Sequence, residues 1–331
     1  MEDRIKERFS DPILAEAVSC YGVGPGAVRK LDGFESFIFE FEKGGASFIL
    51  RIAHSFRRSE GLIKGEIDWI NHLAARGAAV ARAIPSERGR LVESIPDSRG
   101  ESFLATAFVK AQGRPPREFG WTPELHETYG RALGKLHKLT RGYAPPDPSW
   151  RRMEWDDPLM LYVDQFLPAG DEEILERYHD LLSHLRSLPR DDDSYGLVHQ
   201  DAHGGNLFID DAGRITFFDF DDCAYSWFWN DIAIVLFYAA RTSAGDAAAF
   251  TEGFLPRFLK GYAEESPVDE RWFKEIPHFL KLREMDLYAV VHRSFDVENL
   301  TDPWCLRFME GRRESLIRGA PVIDFDFESL G

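Results

Sequence analysis

Cysteine is scarce in this chain. There are three, Cys20, Cys223 and Cys305, far apart and odd in number. They form no CxxC pair and no disulfide framework, which excludes a cysteine-stapled secreted scaffold and fits a reducing cytoplasm. Basic residues are also in deficit: 40 Lys and Arg stand against 56 Asp and Glu, for a net charge of −16. A duplex-binding surface needs the opposite balance, so nucleic acid is not expected as a partner. Long apolar runs are missing too. The most apolar segment, 232–240, is too short to span a bilayer. The opening MEDRIKERFSDP is charged and has no signal-peptide apolar region. No membrane partner is expected, and a cytoplasmic protein is. Internal repeats and low-complexity tracts are absent. The cluster Gly22-Val23-Gly24-Pro25-Gly26 fits neither GxGxxG nor GK[ST] and reads as a turn.

Apolar and aromatic residues are abundant. Hydrophobic content is 44%, with 26 Phe, which predicts an ordered globule. A length of 331 residues allows one large domain or two smaller ones with a substantial core. Periodicity predicts a short helix over 11–21. Strands follow over 28–31, 37–41 and 47–52, with a hairpin turn at Lys43-Gly44-Gly45. A helix is expected over 60–76, then strands near 83–84, 91–92 and 103–109. Composition shifts at Gly113-Arg114-Pro115-Pro116, which places a domain boundary there: 1–112 and 113–331. The second part reads as helices over 122–141, 171–188, 230–241 and 246–263. Two more follow over 269–296, with Pro277 interrupting, and 302–317. The expected class is α+β, in two lobes: a small antiparallel β-rich N-terminal lobe and a larger, mainly helical C-terminal lobe.

The stretch 196–222 stands apart from both patterns. Three short apolar runs are separated by a polar loop and an Asp-Gly turn, and the third run delivers Asp219, Asp221 and Asp222. Asp201, Asn206 five residues on and Asp219 thirteen further on each stand at a strand end. An Asp, an Asn and an Asp so placed suit phosphoryl transfer. One carboxylate takes the acceptor hydroxyl proton, and an amide oxygen and a second carboxylate hold Mg²⁺. Hence Asp201 is the candidate catalytic residue, with Asn206 and Asp219 as metal ligands. His199-x-Asp201-x-His203 invites comparison with a hydrolytic metal site, but the other histidines supply no further ligand spacing. His199 reads instead as a residue that packs under and shapes the loop. Asp221 and Asp222 are ambiguous between site and surface. Arg51 ends a strand and Glu66 lies on the next helix, so the two can pair and aim a guanidinium at phosphate.

These residues resemble the aminoglycoside phosphotransferase and choline kinase-like family, relatives of protein kinases. His199-x-Asp201 with Asn206 and Asp219 carries the likeness. Leu133-Gly134-Lys135-Leu136-His137, Trp229-Asn230-Asp231-Ile232-Ala233 and Phe48-Ile49-Leu50-Arg51-Ile52 add to it. The resemblance implies a protein-kinase-like fold and a kinase using ATP or GTP with Mg²⁺ on a small-molecule hydroxyl acceptor. Within it, the loop of Gly33, Phe34, Glu35 and Ser36 would cover the nucleotide phosphates. Backbone from Ala107 to Val109 would meet adenine, and Asp231 would brace the catalytic loop. The acceptor pocket would come from the helical half, with Asp222, Tyr225, Trp227 and Asp286 as candidates. Three departures stand out: Arg51 where many kinases have Lys, one glycine in 32–36, and Gln200 where the family often has Gly. The same fold serves aminoglycoside, amino-alcohol, homoserine and sugar kinases. A stress-response protein Ser/Thr kinase and a non-catalytic nucleotide-binding module are the alternatives.

Overall fold

The computed structural model describes residues 1–242 and 245–331. Its strands are β1 (Val28–Leu31), β2 (Phe37–Lys43), β3 (Ala46–His54), β4 (Ala83–Ile84) and β5 (Glu93–Pro96). They continue with β6 (Ser102–Val109), β7 (Tyr195–Val198), β8 (Leu207–Ile209), β9 (Ile215–Phe217) and β10 (Ala224–Trp227). The architecture is α+β, an antiparallel N-terminal sheet followed by a larger helical part.

Two compact units emerge. The first comprises Met1–Arg114, Tyr143–Arg152 and Leu207–Asp221. Its sheet runs β1-β2-β3-β6-β4, with β5 also on β6, and the pairings are antiparallel. Alternation along β2 sends Phe39 and Phe41 into a core with Leu50, Ile52, Phe103 and Ala105. The other face of the sheet carries the helix Glu60–Ala75. Ser59 caps it by accepting from the Leu62 N–H. Ile63 and Ile67, one turn apart, pack with Ala53, Ala83 and Leu104. Gly65 on that helix is obligatory, since a Cβ there would lie 1.8 Å from the Trp150 carbonyl oxygen. The hairpin β8–β9 joins this unit through a bridge from Val80 to Phe217 and another from Arg114 to Ile209.

The second unit comprises Pro115–Gly142, Met153–Asn206 and Asp222–Gly331. The helix Pro123–Thr140 starts as its Thr122-Pro123 signal predicts, with the Thr122 hydroxyl accepting from the Leu125 N–H. It packs against the helix Ala247–Ala263, and β7 pairs with β10. Among the described residues no helix is long and apolar enough to cross a membrane.

Several expectations change here. The strand near 91–92 begins at Glu93, because residues 86–90 close a turn in which the Ser86 N–H donates to the Arg90 carbonyl at 2.8 Å. The strand β10 was not expected. All four of its residues are buried, so it shows no alternation to read. Pro277 does not interrupt a helix; it sits in the first turn of Ile276–Ser294, where its missing N–H costs nothing. The segment 302–317 is two helices, Pro303–Met309 and Arg312–Arg318, parted by Gly311 at φ +60°.

Candidate active site

The loop after β7 is held by one buried carboxylate. Asp231, with no exposed surface, accepts from the His199 N–H at 3.0 Å and the Gln200 N–H at 2.7 Å. His137 Nε2 lies 3.2 Å from the same carboxylate, and its Nδ1 lies 2.9 Å from the Tyr262 hydroxyl. Burial lowers the His137 pKa against the pull of Asp231. His199 is itself buried. The chain then turns through Gln200 at φ +67°, a left-handed conformation that a non-glycine residue adopts at a cost. Its side-chain oxygen is anchored by Asn230 Nδ2 at 2.9 Å.

This turn presents Asp201. The Asn206 amide nitrogen donates to the Asp201 carbonyl at 3.0 Å and to Oδ2 at 2.8 Å. With that nitrogen committed, the Asn206 carbonyl oxygen is the end left to a cation. Arg283 donates to Asp201 Oδ1 and, at 2.7 Å, to the Tyr238 hydroxyl. His203 Nε2 lies 3.3 Å from Oδ2, and its ring sits 4.3 Å from that of Tyr238. Burial alone would raise the Asp201 pKa. The charges of His203 and Arg283 outweigh it and hold the carboxyl well below the usual carboxylate range. Arg283 and His203 as partners of Asp201, and Tyr238 against both of them, escaped the sequence reading. Arg283 lies one helical turn before the candidate Asp286, and that spacing was the available signal.

The four acceptor candidates fare differently. Asp286 is buried, accepts from the Tyr162 N–H at 2.8 Å, and is pushed up to about 6 by burial, with the Asp222 charge adding to the rise. Asp222 and Asp286 are thus brought within electrostatic reach of each other. Tyr225 is buried in β10. Trp227 is corrected to a core residue: it has no exposed surface and donates its indole N–H to the Pro189 carbonyl at 2.8 Å. It packs on Trp155, Tyr195 and Phe279.

In the first unit Arg51 and Glu66 form two parallel hydrogen bonds of 2.8 and 2.7 Å, both side chains buried. In β3, Arg51 lies between Ile38 of β2 and Thr106 of β6. The Arg51 guanidinium stands 5.2 Å over the Phe108 ring and 3.7 Å from Asp221. Asp219 also acts on the Arg51 charge, which places it nearby. Asp219 itself has φ +62°. Gln200 and Asp219 are the two non-glycine residues with positive φ among those described. Asp221, open to a surface reading, is buried instead. Arg57 holds its Oδ2 at 2.9 and 2.6 Å, and despite burial the surrounding arginines keep it ionised far below the usual range. In the loop of Gly33, Phe34, Glu35 and Ser36, a Cβ on Gly33 would lie 2.2 Å from the Ser36 carbonyl oxygen, so only glycine closes this turn. Glu35 lies 3.4 Å from Arg57, and the Met1 amino group donates to the Phe34 carbonyl at 2.6 Å.

The adenine candidates lie in β6. Ala107 sits inside the sheet between Leu50 and Ile84, and the Val109 N–H donates to the Arg82 carbonyl at 2.9 Å. The Val109 donor is thus already engaged. Ala111, just past the strand, has an N–H with no hydrogen-bond partner among the described residues.

A carboxylate kept anionic and pinned by an asparagine amide, and a buried bidentate Arg–Glu pair crossing from strand to helix, define a kinase-like phosphotransferase. Residues 28–272 match the phosphotransferase enzyme family, and the chain belongs to that family. It is an ATP-dependent phosphotransferase acting on a small-molecule hydroxyl. It is 39% identical to amicoumacin kinase of Bacillus subtilis (strain 168) over 330 residues, 98% of each chain. The solved structure of amicoumacin kinase hAmiN in complex with AMP-PNP, Ca²⁺ and Ami matches it with a TM-score of 0.94 at 36% identity, over 100% of both chains. A microcompartment-associated aminopropanol kinase shares the fold, with a TM-score of 0.72 at 22% identity over 97% of this chain and 95% of its own.

Proposed function

We propose that this chain transfers the γ-phosphoryl group of ATP, with Mg²⁺, to a hydroxyl of amicoumacin or of an acceptor built like it. The observation that carries the reading is the Asp201 carboxylate, ionised by Arg283 and His203 and fixed by Asn206. Whole-length similarity to an amicoumacin kinase supports the acceptor and favours a small molecule over a protein substrate. The nucleotide and divalent ion of the hAmiN complex support the cofactors. We assign nucleotide binding to residues 1–112 and acceptor binding with catalysis to 113–331. Three scattered, buried cysteines suit work in the cytoplasm.

In this reading Asp201 orients the acceptor hydroxyl and takes its proton. So acidic a carboxylate is a weak base, which suffices for a loose transition state needing little early deprotonation. Asn206 and Asp219 each offer an oxygen to the divalent ion, which when bound would neutralise charge on the phosphates. Arg51, fixed by Glu66, directs its guanidinium at phosphate, and Gly33 to Ser36 covers it. The Val109 carbonyl and Ala111 N–H face adenine. Asp222 and Asp286 meet a positive group on the acceptor. Asp201→Asn is expected to cut ADP release in the presence of amicoumacin by at least about 10²-fold, while ATP binding followed by calorimetry persists. Full turnover in that variant would end the assignment.

A further inference from the structure

We infer that His184, Glu275 and His278 form a binding site for a divalent transition-metal ion of the Zn²⁺ class, separate from the phosphotransfer residues. His184 comes from the helix Glu172–Arg186 and His278 from the first turn of Ile276–Ser294, which Glu275 precedes. One ligand atom from each residue lies within 4.8 Å of the other two. Both imidazoles turn to the same oxygen: His184 Nε2 is 2.7 Å and His278 Nδ1 3.1 Å from Glu275 Oε2.

Three features favour a cation over a plain hydrogen-bonded cluster. Glu275 stands at a helix N-cap but makes no capping bond; its buried side chain faces the histidines instead. The two rings are 4.1 Å apart, so one ion can reach a nitrogen of each. His278 Nδ1 is buried and, although it approaches Glu275, makes no well-aligned hydrogen bond there. The other Glu275 oxygen lies 4.0 Å from Lys274 Nζ, which leaves Oε2 to the site.

The donor set selects the metal. Two imidazoles and one carboxylate suit Zn²⁺, Co²⁺ or Ni²⁺, whereas Mg²⁺ and Ca²⁺ want oxygen alone. Tetrahedral Zn²⁺ with bonds near 2.0–2.1 Å puts its ligand atoms about 3.3 Å apart. To admit it, the His184–Glu275 spacing of 2.7 Å must open by about 0.6 Å and the His278–Glu275 spacing of 3.1 Å by about 0.2 Å. The half-exposed histidines leave a fourth position for water. A bound ion would tie two helices together at their surface ends.

The test uses the full chain without a histidine tag, stripped with a chelator. Zn²⁺ is titrated against a colorimetric chelator without nucleotide, and Co²⁺ is followed by its visible absorption. One equivalent of Zn²⁺ and the intense absorption of tetrahedral Co²⁺ are expected. His184→Ala and His278→Ala should each weaken Zn²⁺ at least ten-fold and abolish its effect on Tm, with phosphotransfer retained. Asp219→Asn should leave Zn²⁺ binding unchanged. Absence of the tetrahedral Co²⁺ band in the unmodified protein overturns the inference whatever the variants do. So does Zn²⁺ binding that survives in the His184→Ala/His278→Ala protein or disappears with Asp219→Asn.

Discussion

At the scale of residues, the chemistry rests on who holds Asp201. Arg283 and His203 stabilise its anion, so removing a cation must raise its pKa. Arg283→Ala is expected to move the acid limb of the kcat/KM profile upward in pH, while Arg283→Lys moves it less. An unshifted limb in Arg283→Ala would assign the low pKa to other partners. The pairing of Asp201 with Asn206 was within reach of the sequence, because the two lie five residues apart in one loop. The other partners were not visible. Arg283 reaches Asp201 from a helix 82 residues away, and Tyr238, 37 residues from Asp201, holds Arg283; local spacing says nothing of such encounters. Trp227 was misread for a related reason: an aromatic near an acidic run looks the same whether it faces a ligand or fills a core.

At the scale of elements, the helices Pro123–Thr140 and Ala247–Ala263 meet backbone to backbone. A Cβ on Gly130 would lie 1.8 Å from the Phe258 carbonyl oxygen, and one on Gly261 1.9 Å from that of Glu127. Neither neighbour is a flexible side-chain end. Gly130→Ala should therefore destabilise by about 1–3 kcal/mol in urea unfolding, although alanine is the better helix former. Gly253 on the same second helix is exposed with nothing near it, and Gly253→Ala should stabilise by about 0.5–1 kcal/mol. Similar effects at both positions would refute the packing account. Element type was legible wherever one face is polar, as in β2 and the helix Glu60–Ala75. It failed where burial is complete, as in β10, since a strand without an exposed face has no period. Pro277 shows the third case: a proline marks a boundary, and only the neighbouring turns say which side the helix is on.

At the scale of the whole molecule, stability should carry a signature of Asp286. Its pKa rises from the ordinary value to about 6 on folding. The folded state thus binds the extra proton between pH 4 and 6, and this group's contribution is lost as pH rises through 6. Two pH units at 1.36 kcal/mol each set a ceiling of about 3 kcal/mol. Asp286→Asn keeps an oxygen for the Tyr162 N–H and should gain stability relative to the parent as pH climbs from 4 to 6. Chemical unfolding of both proteins across that range reads the difference. A constant difference would mean that Asp286 titrates normally. The net charge of −16 acts in the same direction, because deprotonating one more carboxyl adds to an acidic excess. Overall class and the order of sheet and helices were legible in composition and periodicity. The assignment of residues 207–221 to the first unit was not, since it depends on Ile209 and Phe217 bridging to Arg114 and Val80.

The two left-handed residues, Gln200 and Asp219, carry a consequence for directed evolution. Each sits in a backbone state that glycine enters freely and other residues resist by about 1–2 kcal/mol. A selection for heat resistance alone would drift toward glycine at both. At Gln200 such a clone would forfeit only the Asn230 anchor. At Asp219 it would emerge sturdier, and, if Asp219 holds the metal, inert. Thermal survivors sequenced without an activity gate should be enriched for that dead class.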